Sequence, residues 1–263
     1  MNLTDTVLAV RDLSFHRPEG RLVLDQVTLD VFPNSLLAIV GHNGSGKTTL
    51  LRIILDTCLG LNTLYRQYTG RLTVAPRSLG DVGYLPQRYS ESLLPWFTVR
   101  RNLSTMSNSA DRSIRQSEVD AVLHRFHVDF SFPSARIAAL ASRPAYMLSA
   151  GEKQAIAFTR AVLPAPGLLL LDEPFSTIDR TYGNLLVEFL RLFQSRTACT
   201  TLLVSHDVVE AAYLSDETLV MQCGRLVGRF PCQSKYASKA EALTNPAFLA
   251  HVSEITRCLA GAN

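Results

Sequence analysis

The sequence predicts an α/β fold with a mostly parallel sheet, on three observations. Residues 36–40, 168–171 and 200–204 are short, largely apolar runs, the pattern of strands covered on both faces. Each run passes into polar residues and then a segment with helical spacing, and strands that alternate with helices pair in parallel. The first run leads straight into a glycine-rich loop, Gly41-His-Asn-Gly-Ser-Gly-Lys-Thr-Thr49, and a helix is expected over 48–55.

The other elements follow in chain order. Val7, Ala9 and Arg11 alternate against Leu8, Val10 and Asp12, and 24–31 is close to period two, so the first thirty-odd residues are expected as strands. Residues 72–74 and 82–85 add two more. From 104 to 117 the chain turns polar and serine-rich, as an exposed connection inside a mostly helical insert would. Helical spacing returns over 119–126 and 155–163, and 235–260 has the periodicity of a surface-packed helix. No internal repeat is visible.

Composition narrows the function classes. Of 263 residues, 47% are hydrophobic and 19% charged, enough for a sizeable core and too apolar for a disordered chain. A net charge of +3 lacks the dense cationic face that wraps nucleic acid, so no nucleic acid partner is expected. The N-terminus has neither the basic start nor the apolar run of a secretion signal. No stretch approaches the roughly 20 apolar residues of a spanning helix; the longest candidate, around 161–171, is interrupted by Pro164, Pro166 and Gly167. The five cysteines (Cys58, Cys199, Cys223, Cys232, Cys258) are scattered without metal-ligand spacing, which fits reduced thiols.

Three constellations carry chemistry. Gly41-x-x-x-x-Gly46-Lys47-Thr48, between a strand and a helix, is a phosphate-binding loop: glycines let successive N–H groups turn inward, and the helix adds the positive end of its dipole. Lys47 can reach the β- and γ-phosphates and the Thr48 hydroxyl can ligate Mg²⁺. The run 168–171 then delivers Asp172 and Glu173 at a strand's carboxyl end, the first suited to a Mg²⁺ shell and the second to orienting and deprotonating a water. Ser149-Ala-Gly-Glu152 is a capping box that starts a helix, and equally a second anion site in the same chain.

These motifs, with Leu148-Ser-Ala-Gly-Glu152 ahead of the Asp172-Glu173 strand and Ser205-His206-Asp207 after the next one, resemble an ABC (ATP-binding cassette) nucleotide-binding domain from about residue 8 to 228. The resemblance implies a RecA-like P-loop NTPase core with an antiparallel β subdomain (about 1–90 and 165–230), an inserted helical subdomain (about 91–164) and a C-terminal helical extension (231–263). It implies ATP and Mg²⁺, with Gly41, Asn43, Gly44, Ser45, Gly46, Lys47, Thr48 and Thr49 on the nucleotide and Thr48, Gln87 and Asp172 on the metal. Glu173, His206 and Gln87, the last in Tyr84-Leu-Pro-Gln87, match the catalytic base, the switch histidine and the Q-loop glutamine.

In that family Ser149 and Gly151 act in trans on the ATP of a second subunit, so two copies are expected to pair head-to-tail. Ala150 and Glu152 stand where the family usually has glycine and glutamine. Asp179, in Ser176-Thr-Ile-Asp179, resembles the D-loop that crosses the dimer interface, which implies a place in trans to the partner's ATP, and Ser-x-x-Asp is equally a local helix cap. The family's usual adenine-stacking aromatic falls near Arg17, with Phe15 and His16 as alternatives; an arginine plane can also stack on a base. Trp96 is either core packing or part of a surface that docks a membrane partner, and Leu93-Leu-Pro-Trp96 followed by Thr98-Val is similar to cassettes of nitrate, sulfonate and taurine importers. The expected function is an ATPase subunit that powers import of a small anionic solute from the cytoplasmic side of the membrane, with integral permease subunits and a solute-binding protein as partners. A soluble ABC protein of translation or DNA maintenance is disfavoured by the single cassette without a coiled coil. A regulatory cassette without turnover is disfavoured by the intact Lys47, Asp172, Glu173 and His206.

Overall fold

Five strands of one sheet run parallel: β3 (Leu36–Val40), β5 (Val82–Leu85), β6 (Leu168–Asp172), β7 (Thr200–Ser205) and β8 (Glu217–Gln222), in the order β5-β6-β7-β3-β8, closed at one edge by antiparallel β9 (Arg225–Pro231). A second, antiparallel sheet is formed by β1 (Leu8–His16) between β2 (Leu22–Val31) and β4 (Tyr68–Val74). This computed structural model describes residues 6–61, 63, 65, 67–75, 81–104, 119–130, 134–176, 178–232 and 236–261; most of the serine-rich stretch, from 105 on, and Thr177 of the Ser176–Asp179 segment lie outside them.

The wholly buried strands have two covered faces because their side chains alternate. Leu37 and Ile39 of β3, with Leu168, Leu170, Leu202 and Val204, pack against helix α1 (Lys47–Cys58) and the antiparallel sheet. Leu36, Ala38 and Val40, with Leu169, Leu171 and Leu203, pack against α5 (Ala150–Val162), α6 (Arg180–Arg196) and α7 (Val208–Leu214) on the other side. The helices α2 (Val99–Ser104), α3 (Val119–Phe130) and α4 (Ser134–Ala139) extend this second core through Val99, Leu103, Val119, Leu123 and Ile137. Replacing any of these fully buried leucines with alanine costs roughly 2–5 kcal/mol.

Two sequence expectations need adjusting. The single helix expected over 235–260 is two, α8 (Lys239–Thr244) and α9 (Pro246–Ala260). Asn245 breaks them: its side chain accepts from Ala247 N and Phe248 N, and Pro246 at the first helical position has no N–H to lose. Trp96 is not core packing, for it is 69% exposed. Its loop is rigid nonetheless. Buried Asn102 accepts from Leu94 N at 2.8 Å and donates to the carbonyls of Leu94, Phe97 and Thr98 at 3.1–3.2 Å. Among the described residues no helix is long and apolar enough to cross a membrane.

Candidate phosphate-binding and hydrolytic site

The carboxyl ends of four parallel strands meet at one edge of the sheet, the place where open α/β sheets bind ligands. There β3 gives way to the glycine loop, β5 leads to Gln87, β6 ends in Asp172 before Glu173, and β7 ends before His206.

The loop's geometry needs its glycines. Gly44 and Gly46 have φ of 81° and 107°, which favour a residue without Cβ. A Cβ on Gly46 would sit 2.9 Å from the Val23 carbonyl oxygen, and one on Gly41 would run into the Met221 carbonyl. Gly224 N donates to Ser45 O at 2.9 Å, bracing the loop from the β8–β9 turn. Helix α1 starts at Gly46 with no side-chain cap and no acidic residue in its first turn, so its first N–H groups stay open to an anion. Ser45 Oγ is likewise buried without a hydrogen-bond partner.

Around this loop stand the ionisable groups. Lys47 is buried and its Nζ donates to the carbonyls of Gly41 at 2.7 Å and His42 at 3.0 Å. Burial lowers its pKa, while the charges of Glu173 and Asp172 pull the other way. Thr48 Oγ1 donates to Asp172 Oδ1 at 3.2 Å. Burial pushes the Asp172 carboxyl up to about 6, and its Oδ2 is buried with no hydrogen-bond partner. An orphaned carboxylate oxygen beside a threonine hydroxyl suits a hard, oxygen-seeking cation such as Mg²⁺. Half-buried Glu173 places Oε2 3.2 Å from His206 Nδ1. His206 is exposed, yet its backbone is fixed on the C-terminal side, because Asp207 N donates to Ser205 Oγ and Asp207 Oδ1 caps α7 through Glu210 N.

The remaining expected residues are distributed as follows. Asn43 and Gln87 are exposed, and Thr49 is half-buried in the first turn of α1. Ser149 is exposed at the start of α5 and its capping box is complete: Ser149 N donates to Glu152 Oε2 at 2.8 Å and Ser149 Oγ accepts from Glu152 N at 3.3 Å. The backbone hydrogen bond from Ser149 holds the Glu152 carboxyl below its usual range, with Arg143 and Arg136 adding to it. Gly151 lies in the same first turn. Asp179 is a helix cap: its Oδ1 accepts from Tyr182 N at 2.9 Å and its Oδ2 pairs with Arg136 at 3.1 Å, so both oxygens are engaged within the chain. Arg17 is exposed in the β1–β2 turn, 3.9 Å from Glu19, and His16 is exposed beside it. Phe15 cannot meet a base from its position, because it is buried and stacked on Tyr65 at 5.8 Å.

Four residues were not anticipated. Buried Gln154 donates from Nε2 to the Glu173 carbonyl at 2.9 Å. Arg136 joins α4 to the start of α6, through Asp179 and by lying 4.5 Å over the Tyr182 ring. Tyr146 and Met147, each 59% exposed, belong with Trp96: Tyr146 N donates to Pro95 O and Ala145 N to Phe97 O. These backbone hydrogen bonds hold the segment of Trp96 beside that of Tyr146 and Met147, so three exposed large apolar side chains sit on paired segments.

Comparison with known proteins shows the family and the fold. The family model described as ABC transporter matches residues 24–176. The chain is 37% identical over 232 residues, 86% of its length and 82% of the relative's, to the aliphatic sulfonates import ATP-binding protein SsuB 3 of Nocardia farcinica. It is 32% identical over 208 residues to the nitrate import ATP-binding protein NrtC of Synechococcus elongatus, a match covering 77% of this chain and only 29% of that longer protein. The fold is that of cbiO1 from Clostridium perfringens, part of the ABC transporter complex cbiONQ, at a TM-score of 0.67 and 20% identity over 95% of this chain and 99% of that one.

Proposed function

We propose, on the premise that this chain belongs to the ABC transporter family and is an ATP-binding, ATP-hydrolysing subunit, that two copies pair head-to-tail around two ATP molecules. The pair drives import of a small anionic solute through separate membrane subunits, from the cytoplasmic side, and a solute-binding protein delivers the cargo. The observation that carries the ATPase reading is the gathering of Lys47, Thr48, Asp172, Glu173 and His206 at one sheet edge beside an uncapped helix start.

In this reading the open N–H groups of the loop and of the first turn of α1 take the phosphate oxygens, with Gly41, Asn43, Gly44, Ser45, Gly46 and Thr49 shaping the cradle. Lys47 exchanges its two carbonyl partners for the β- and γ-phosphates. Thr48, Asp172 and Gln87 would hold Mg²⁺, which supplies charge neutralisation on those phosphates when bound. Glu173 orients the attacking water and takes its proton as the water oxygen bonds to the γ-phosphorus and ADP leaves. His206, beside the Glu173 carboxylate, faces the γ-phosphate, and Arg17 lies along the base. The second anion site, at Ser149 and Gly151, faces solvent and serves the ATP of the partner copy; Asp179 holds the adjoining helix start in place. Exposed Trp96, Tyr146 and Met147 are presented to the membrane subunits.

The solute is assigned as anionic from the sulfonate and nitrate importers among the relatives. Affinity isolation of the tagged chain from membranes should yield a polytopic partner that changes its ATPase rate. A rate unaltered by every such partner would overturn the transport reading. Salt-sensitive, stoichiometric binding to ribosomes or DNA would replace it.

A further inference from the structure

Glu173 has a φ of 52°, a left-handed conformation that costs a non-glycine residue energy unless its surroundings fix it. Three neighbours fix it. Its N–H donates to Val204 O at 2.8 Å, which anchors it to β7. Its carbonyl accepts from Gln154 Nε2 at 2.9 Å and from Ser176 Oγ at 3.2 Å. Gln154 is only 1% exposed, so the donor is held by packing on all sides, and it belongs to α5, the helix whose first turn carries Ser149 and Gly151. Gln154 follows Ser149 by five positions, about 7.5 Å along a helix that the capping box starts.

We propose that Gln154 is a positioning residue that sets the orientation of the Glu173 carboxylate according to what occupies the start of α5. The inference rests on the reading above, in which that helix start meets the partner's ATP. A shift or rotation of α5 on binding the partner's phosphate moves the Gln154 amide, and with it the one peptide group whose left-handed conformation aims the carboxylate. Each site of the pair thereby senses, across five positions of helix, whether the other is filled. A glutamine that merely satisfies a buried carbonyl would give stability and no such coupling.

The test uses the full chain with Gln154→Leu, which keeps the volume and removes the donor, and Gln154→Glu, which restores an O–H donor only when protonated. Gln154→Leu should lower kcat by roughly 10- to 100-fold, the range of a small misplacement of a reacting group. Its KM for ATP should stay within about twofold, because this substitution leaves the phosphate contacts alone. The Hill coefficient for ATP should fall toward 1. The rate of Gln154→Glu relative to wild type should rise as pH falls from about 8 to about 6, while that of Gln154→Leu stays flat. ATP-dependent dimerisation should survive when Gln154→Leu is combined with Glu173→Gln. Wild-type kcat and Hill coefficient in Gln154→Leu, or kcat loss accompanied by loss of dimerisation, would overturn the inference. If Glu173→Gln alone fails to dimerise with ATP, the head-to-tail reading fails first and this inference with it; if it dimerises while Gln154→Leu keeps its kcat, only this inference fails.

Discussion

Replacing Asp172 by asparagine should stabilise the nucleotide-free, metal-free protein, even though it removes a residue proposed for the active site. The Asp172 carboxyl is pushed by burial from the ordinary 3.8 up to about 6, and its Oδ2 has no partner. The folded state therefore holds this proton more tightly than the unfolded state does. The associated stability is fully present below about 3.8 and is lost as pH rises through about 6. A shift of about two units, at roughly 1.4 kcal/mol each, sets a ceiling of roughly 3 kcal/mol. About half of that penalty has already developed at pH 5, so the penalty should grow by roughly 1.4 kcal/mol between pH 5 and pH 8. Asparagine keeps an oxygen for Thr48 Oγ1, which now donates at 3.2 Å, and cannot ionise. Thermal denaturation in EDTA should give the variant a higher Tm at pH 8, by roughly 2–4 °C per kcal/mol, and a smaller advantage at pH 5. Adding ATP and Mg²⁺ should reverse the order, because wild type gains a ligand that the variant binds poorly. Parallel stability curves for the two proteins from pH 5 to pH 8 would refute the reasoning.

Three further outcomes follow from the same geometry. Glu173→Gln should lower phosphate release at least about 100-fold while ATP binding, measured by fluorescent-nucleotide titration, persists; Lys47→Ala should instead weaken that binding. Trp96→Ala combined with Met147→Ser should leave the ATPase rate of the isolated chain unchanged and reduce recovery of the membrane partner in pull-down, since both side chains face solvent. Lys239→Met should cost roughly 1–3 kcal/mol, because it strips the partly buried Glu210 of its partner at 3.2 Å. Burial already raises the Glu210 carboxyl and Lys239 opposes this, so the loss should be larger at pH 8 than at pH 5, as denaturant midpoints would report.

The parts of this molecule that one segment encodes were legible in the sequence. The run at 36–40 leads into glycines whose positive φ is a local demand, and 168–172 ends in a carboxylate, so the strand–loop–helix unit and the second strand could be placed from the residues alone. Contacts between distant segments could not. Gln154 meets Glu173 across 19 positions, and Arg136 of α4 meets Asp179 and Tyr182 with all of α5 and β6 lying between them in sequence; nothing in either segment announces the other. Phe15 stood as an alternative to Arg17 only by nearness in sequence, and its burial against Tyr65 is a contact across 50 positions that neither segment announces. The β1–β2 register shifts after Val10, Leu13 and Phe15, with Asp12 and Gln26 at φ near 50°, and each irregularity changes which face the next side chain takes. Trp96 remained ambiguous for a related reason: an apolar residue in a loop is exposed or buried according to what packs over it. The break at Asn245-Pro246 was readable from capping chemistry, but the apolar periodicity runs across it.

The central claim is that this chain's hydrolytic site is completed by a second copy, and sedimentation of the Glu173→Gln protein tests it most directly. With ATP and Mg²⁺ the 29.0 kDa chain should double in mass, revert without nucleotide, and lose this response on adding Ser149→Arg even though that variant still binds ATP. A mass that stays at that of one chain under saturating ATP, together with wild-type hydrolysis per chain that does not change on dilution, would contradict it.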